Sequence, residues 1–335
     1  SEKLWRVREI TMSRARDFGN QLYSGERSFN FVARRKTWYI IGAVAVILAL
    51  LLPVARGGFN FGIEFRGGSE FRLTNSQELP HQLAVDVISD IAPGSQVNVT
   101  DVGLADIRIQ TEQLEDVQSE RVRLALADAY GLDDAAVASS FIGPNWGADV
   151  TNQALMGLIV FLILVSLLIA VYFRSWKMSV AAVLALAHDL ILTAGIYAGV
   201  GFEVTPAAVI GFLTILAYSL YDTVVVFDKV RENTLEVEYS ETRTFGEMVN
   251  LAVNQTLIRS INTSVVAVLP VASILFVGSL LLGAGTLRDI ALALFVGTIV
   301  GTYSSIFLAA PIYAHLRESE PTLKKAADKV VASRA

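Results

Sequence analysis

The chain has 335 residues, 53% of them hydrophobic, and 27 Lys and Arg against 32 Asp and Glu give a net charge of −5. Because it contains no cysteine, a disulfide framework, a thiolate nucleophile and a Cys-based zinc or iron–sulfur site are excluded; the acidic balance argues against nucleic acid as a partner, and no GxxxxGK[ST] loop is present to hold a nucleotide. A mean hydropathy of +0.51, with 18% charged residues against roughly 25% in an average soluble chain, points to a membrane protein.

In chain order, residues 1–36 form a mostly polar tail, and Thr37 to Ala55 is the first stretch long enough to span a bilayer, for which about 20 apolar residues suffice. Its full spanning length and late start lead to the expectation that it is its own signal anchor and not a cleaved signal peptide. Residues 56–149 form a polar insertion. Within it Phe59 to Phe65 and Ser69 to Asn75 read as extended segments broken by Gly67–Gly68, followed by a helix from Glu78 to Ile91 ended by Pro93–Gly94. Val97 to Val102 and Leu104 to Thr111 alternate like paired strands, Leu114 to Tyr130 is an amphipathic helix, and Val137 to Ile142 is a last strand. The order β-α-β-β-α-β suggests a ferredoxin-like α+β sandwich. It offers no catalytic constellation, its acids read as a solvated surface, and without disulfides its modest core calls for support from the membrane or a partner. Five further spans follow within residues 150–314: Val150 to Phe173, Met178 to Val200, Val204 to Asp228, Ser260 to Leu287 and Ile290 to Ala314. Residues 315–335 are a polar C-terminal tail.

The seven lysines, at 3, 36, 177, 229, 324, 325 and 329, fall in the tails, between spans two and three, and after span four. The positive-inside rule makes these segments cytoplasmic, with both termini inside. The short connections at Gly201 to Glu203 and Gly283–Ala284–Gly285 carry no lysine or arginine, as outside turns should. The segment from Arg56 to Gln153 then lies outside; its six arginines, fifteen acids and no lysine give −9, leaving +4 for the remainder.

A charge at the bilayer centre costs about 2.5–3.5 kcal/mol even on lenient insertion scales, so the ionisable residues inside the spans are the candidates for function. His188 and Asp189 sit near the middle of span three and Asp222 lies in span four, while Asp228 and Lys229 can reach water at its end. Helical spacing puts Gly211, Thr214, Tyr218 and Asp222 on one stripe, and Gln255, Arg259 and Asn262 on one face at the start of span five. Antiparallel packing would bring Asp222 and Arg259 together as a buried pair. Two readings stand: a structural ion pair, or a switch in which protonation of Asp222 weakens its attraction to Arg259 and lets the helices repack, a proton crossing the membrane supplying about 2.3 kcal/mol per 100 mV. His188 reads equally as a structural hydrogen-bonding group. The GxxxG spacings Gly195–Gly199 and Gly297–Gly301 read as helix-packing sites.

Several motifs carry a family resemblance. Phe61–Gly62–Ile63–Glu64–Phe65–Arg66–Gly67–Gly68 is similar to a G-[IL]-[DE]-F-x-G-G signature, and Phe141–Ile142–Gly143–Pro144 with Gly147 to an FVGPxxG element. With Ala187–His188–Asp189, the run from Tyr218 to Asn233 and the run from Thr256 to Ser264, they resemble, in order from about Trp38 to Ala314, the SecF family of the RND superfamily, the smaller membrane subunit of the SecDF accessory of the Sec export channel. The resemblance implies six transmembrane helices in an RND-type bundle in the bacterial plasma membrane, with the external domain between helices one and two. It implies a proton-driven translocation subunit and not an enzyme, with protons as coupling ion in place of a cofactor or metal. SecD, the SecYEG translocon and preproteins are the implied partners, with YajC and YidC beyond them. By position, Asp222 and Arg259 correspond to the family's proton-pathway aspartate and arginine, with Asp189 and His188 beside them. Tyr221 departs from the Asn common there, a change expected to alter hydration around Asp222. An RND-type half-transporter for lipids or small molecules is the alternative reading. An intramembrane aspartyl protease, built on Asp189 and Asp222, lacks its GxGD motif.

Overall fold

The computed structural model describes residues 17–74, 80–102, 106–235, 242–278 and 285–334. The ends of expected elements at Asn75, Glu78 and Leu104, and the Gly283–Ala284 turn, lie outside them. A short helix, 17–24, precedes α1 (Arg35–Ala55), the first span.

The insertion then departs from expectation at its start. Phe59 to Phe65 is not a strand: Ile63–Arg66 forms a helical turn, α2, and only Phe61 pairs in strand fashion, through an isolated parallel bridge to Val204. The alternating aromatics that imitate a strand pack on one another instead, with ring centroids 5.9 Å apart for Phe59 and Phe61 and 6.0 Å for Phe61 and Phe65. Gly67 and Gly68, at φ 74° and 148°, make the reversal that an L side chain would resist.

From there the expected order holds: β1 (Gly68–Thr74), α3 (His81–Ile91), β2 (Val97–Val102), β3 (Asp106–Thr111), α4 (Asp116–Ala129) and β4 (Val137–Ile142). The four strands pair antiparallel in the order β2-β3-β1-β4, the ferredoxin-like arrangement. Phe71 opposes Ile109 and Leu73 opposes Ile107 across β1 and β3, and with Ile88 of α3 and Leu126 of α4 they form a fully buried core. Because side chains alternate across a strand, the same strands turn Glu70, Arg108 and Gln110 to the opposite face.

The remaining spans are α5 (Pro144–Phe173), α6 (Trp176–Val200), α7 (Pro206–Thr234), α8 (Phe245–Ser273), which continues through a π turn at Ile274–Gly278, and α9 (Gly285–Ser304), which continues through a π turn at Ser305–Ala309 into α10 (Ala310–Glu318). A terminal helix, α11 (Pro321–Arg334), follows. Their ends are specified locally: Ser175 accepts from the Met178 N–H, Thr205 from Ala208, and Thr244 with Glu247 forms a capping box. About half of α6 and of the last span is buried, against under a fifth for α1 and α5. The first two spans and the apolar part of α8 are the least buried, and the bundle's buried polar residues sit on α6, α7, Asn254 to Ser264 of α8 and the last span.

The fifth helix begins at Phe245, well before the apolar segment expected to start at Ser260. Its polar first half is held by the N-terminal segment: Asn254 accepts from the Phe29 N–H and Asn250 from the Phe31 N–H, each at 2.8 Å. The tails are likewise folded against the bundle, with Leu22, Phe31, Leu323 and Val330 buried.

Both GxxxG spacings mark close helix contacts. A Cβ on Gly195 would overlap Ala49 of α1, and one on Gly297 would overlap Ile215 of α7, while one on Gly301 would stand 2.9 Å from the Ser219 Cβ. Gly147 is equally tight against the Phe65 carbonyl, which joins the two motifs that flank the insertion.

Candidate functional site

The centre of the bundle holds a seam of hydroxyls around two carboxylates. Asp189, on α6, is fully buried. Its Oδ2 accepts from Ser219 of α7 at 2.5 Å and from Ser304 of α9 at 2.7 Å, and its Oδ1 lies 3.3 Å from His188 Nδ1. Asp222, on α7, is buried too, but more sparsely served: Ser260 of α8 donates to Oδ1 at 2.6 Å, and Oδ2 is buried with no hydrogen-bond partner. The hydroxyls of Thr223, next to Asp222 in sequence, and Ser305, next to the Asp189 donor Ser304, meet at 3.0 Å, and Ser305 also donates to the Gly301 carbonyl. Nearby, the Ser264 hydroxyl lies 2.8 Å from the Ser260 backbone carbonyl, to which it can donate, and 2.5 Å from the Thr302 hydroxyl.

The local sequence explains the seam. Ser219 and Thr223 are four apart and share a face of α7 with Asp222 between them. On the last span the helix widens into a π turn directly after Ser304, a feature that recurs at functional sites, and it turns the adjacent Ser304 and Ser305 toward different partners.

Asp222 and Arg259 do not form the buried pair expected from spacing. Arg259 is exposed, and its Nη2 donates to the Tyr221 hydroxyl at 3.3 Å. The physical reason is angular: neighbouring residues on a helix point about 100° apart, so α7 and α8 meet in two rungs. The inner rung is Asp222 with Ser260, and the outer is Tyr221 with Arg259. The expected stripe is rotated accordingly, since Thr214 faces outward while Gly211, Ser219 and Asp222 are buried.

His188 is buried beside Asp189, with its ring 6.0 Å from that of Tyr303 and its Nε2 without a partner, facing Gly42 of α1. Spacing arguments missed Ser219, Thr223, Ser260, Ser304 and Ser305, although a Ser–Ser pair within an apolar span was a visible signal. No hydrogen bond joins the Asp189 and Asp222 carboxylates among the described residues. Nor does any group of three or more His, Asp or Glu among them form a metal site.

A six-span bundle with a ferredoxin-like insertion after its first span and a carboxylate–hydroxyl seam at its centre defines a polytopic membrane protein with an ionisable interior. Residues 123–319 match the family described as Protein export membrane protein SecD/SecF, C-terminal, and residues 56–74 match the SecD/SecF GG Motif. The chain is 43% identical to protein translocase subunit SecF of Streptomyces coelicolor, over 97% of this chain and 86% of that one. It is 42% identical to SecF of Mycobacterium tuberculosis, over 95% and 73%. Its fold resembles the crystal structure of SecDF from Thermus thermophilus, with a TM-score of 0.76 at 32% identity, over 87% of this chain but only 39% of that chain. The chain belongs to the SecF family.

Proposed function

We propose that this protein translocase subunit works with SecD at the SecYEG channel, and that proton movement through the seam drives motions of the inserted domain that promote preprotein export. Protons are the coupling ion. The termini face the cytoplasm of a bacterial plasma membrane, residues 56–149 face outward, and YajC and YidC are further partners. The observation that carries the reading is the asymmetry of the two carboxylates. Asp189 is held by donors from α7 and α9, whereas Asp222 has one donor and a buried unmet oxygen where α7, α8 and the last span meet.

An unpartnered buried carboxylate oxygen is costly, and a proton, or a water bringing one, relieves that cost. Asp222 therefore alternates between protonated and ionised forms, and Ser260 and the Thr223–Ser305 hydroxyls follow the change by rotating between donating and accepting. Arg259 stands on the outer rung, one residue from Ser260, where its cation biases the helix contact without pairing with Asp222 in this arrangement. Asp189 and His188 form the more rigid end of the path.

The test is preprotein export into inner-membrane vesicles containing this chain, SecD and the translocon. Export should rise when a proton gradient is imposed. Asp222→Asn and Arg259→Met should each abolish that rise while leaving insertion and SecD copurification intact. A gradient response retained in both variants would sink the proposal.

A further inference from the structure

A second cluster of ionisable groups lies away from the seam, where the inserted domain meets the α6–α7 connection. The backbone ties are Gly62 N–H to the Val204 carbonyl at 2.9 Å and Val204 N–H to the Asn60 carbonyl at 2.7 Å. Above them Arg108 of β3 reaches down to Glu203 of the connection at 3.2 Å and stands 3.7 Å from Glu70 of β1, and Gln110 donates to Glu70 at 3.1 Å. These side chains are mostly buried: Arg108 is 19% and Glu203 12% exposed.

Arg108 leaves acids around it unmet, and its own Nε is buried without a hydrogen-bond partner. Glu203 Oε1 and Glu64 Oε2 are both buried without a hydrogen-bond partner. They flank one small gap: the position a Cβ on Gly62 would take lies against Glu64 Oε2 and 3.3 Å from Glu203 Oε1. The other titratable and charged groups nearby are Asp289, whose Oδ2 accepts from Thr205 at 3.1 Å, Arg288, which stacks 4.4 Å over the Phe202 ring, Arg56, whose guanidinium lies against Gly201, and Tyr197, whose buried hydroxyl has no hydrogen-bond partner. Four carboxyls, Glu64, Glu70, Glu203 and Asp289, thus stand among the guanidiniums of Arg108, Arg288 and Arg56. A proton placed on Glu203 Oε1 would let it donate across this gap toward Glu64 Oε2 and relieve both orphans at once.

We propose that Glu203 and Glu64 form a carboxyl pair that clasps the inserted domain to the membrane bundle, closed when Glu203 holds a proton and opened when it is ionised. Burial of Glu203 pushes its carboxyl above the usual range, with Gln110 and Arg108 opposing only in part. The sign follows by linkage: a carboxyl whose affinity for protons is raised in the docked state favours docking at low pH and disfavours it as pH rises through the raised value. This is opposite to a plain Arg108–Glu203 salt bridge, which would weaken on acidification. The clasp also stands independently of proton movement through the seam, because it concerns docking and not export.

Since the chain has no cysteine, Thr100→Cys on β2 and Val200→Cys at the end of α6, both exposed, can carry a spin-label pair in the full chain in lipid nanodiscs. Inter-label distances are measured between about pH 5 and about pH 8, a range bracketing a raised carboxyl. One short distance is expected at the acid end, with a longer population growing toward the alkaline end. In Glu64→Gln and in Glu203→Gln, whose neutral amides donate without a proton, the short distance should persist throughout. Three results overturn the proposal: a distribution indifferent to pH, Gln variants that open at every pH as a plain ion pair requires, or a response surviving both substitutions, which would move the titration to Asp289 or Glu70.

Discussion

Ser260 donates a 2.6 Å hydrogen bond to Asp222 in the interior of the bundle, while Arg259, its immediate neighbour in sequence, points outward to Tyr221. The residue that serves the buried aspartate is therefore a neutral hydroxyl, and the cation acts from the rim. Buried ion pairs repay their desolvation only with good geometry. A Ser–Asp contact avoids burying the second charge.

Ser260→Ala leaves Asp222 without its donor. Interhelical hydrogen bonds in membranes average about 0.6 kcal/mol, so the variant should remain folded, and gradient-stimulated export should fall by about threefold. Export rates in vesicles, normalised to protein inserted, check this.

Tyr221→Phe and Arg259→Met remove the two ends of one rung. Arg259→Met should abolish stimulated export, whereas Tyr221→Phe and the milder Arg259→Lys should reduce it. The double variant Tyr221→Phe with Arg259→Lys should be no worse than the more damaging of those two single variants, since contacting residues are not additive. A double-mutant cycle on the same export rates measures the coupling.

Gly195→Ala forces a methyl into Ala49 at the contact of α1 with α6. Overpacking of this kind costs about 1–3 kcal/mol, and it should appear as a lower thermal midpoint in detergent. Gly57→Ala, with nothing within 4 Å of its Cβ position, isolates the backbone contribution, because its φ of 83° also disfavours a side chain.

In the inserted domain Phe71 is fully buried between the sheet and its helices. Phe71→Ala should cost about 3–5 kcal/mol and make residues 68–142 protease-sensitive in the intact chain, with the spans still protected.

The start of the C-terminal helix should loosen on acidification. Burial works to raise the Glu320 carboxyl, but its ion pairs with Lys177 at 2.8 Å and Arg317 at 3.2 Å outweigh this and hold it below the usual range. A depressed carboxyl contributes stability above its unfolded value and loses it as pH falls through the folded one. Amide exchange in the first turn of α11 should accelerate as pH falls through the depressed Glu320 value, with the other end still held by Arg334 to Glu247, whose carboxyl is pushed down to about 2, and Lys177→Met should move the onset upward.

Much of this was legible in the sequence, for reasons that differ by element. The spans are fixed by runs of apolar residues that only a helix can carry through lipid. The order from β1 to β4 follows from alternation and glycine breaks, and the GxxxG pairs mark close contacts directly. Phe59 to Phe65 misled because alternating aromatics look alike whether they line a strand or stack on each other around a turn. The Asp222–Arg259 pair misled because spacing gives a residue's height along a helix and not the rotation of two helices about their contact. One position of rotation exchanges Arg259 for Ser260. The early start of α8 was hidden because its polar half is stabilised by residues 28–32, more than two hundred positions away.

The central claim is that Asp222, and not the better-bonded Asp189, takes and releases the coupling proton. Difference infrared spectroscopy of the chain with SecD, recorded in the carboxylic C=O stretching region across a pH change, addresses it directly. The account predicts a protonated-carboxyl band that disappears in Asp222→Asn and persists in Asp189→Asn. A band unchanged in Asp222→Asn, or lost only in Asp189→Asn, would contradict it.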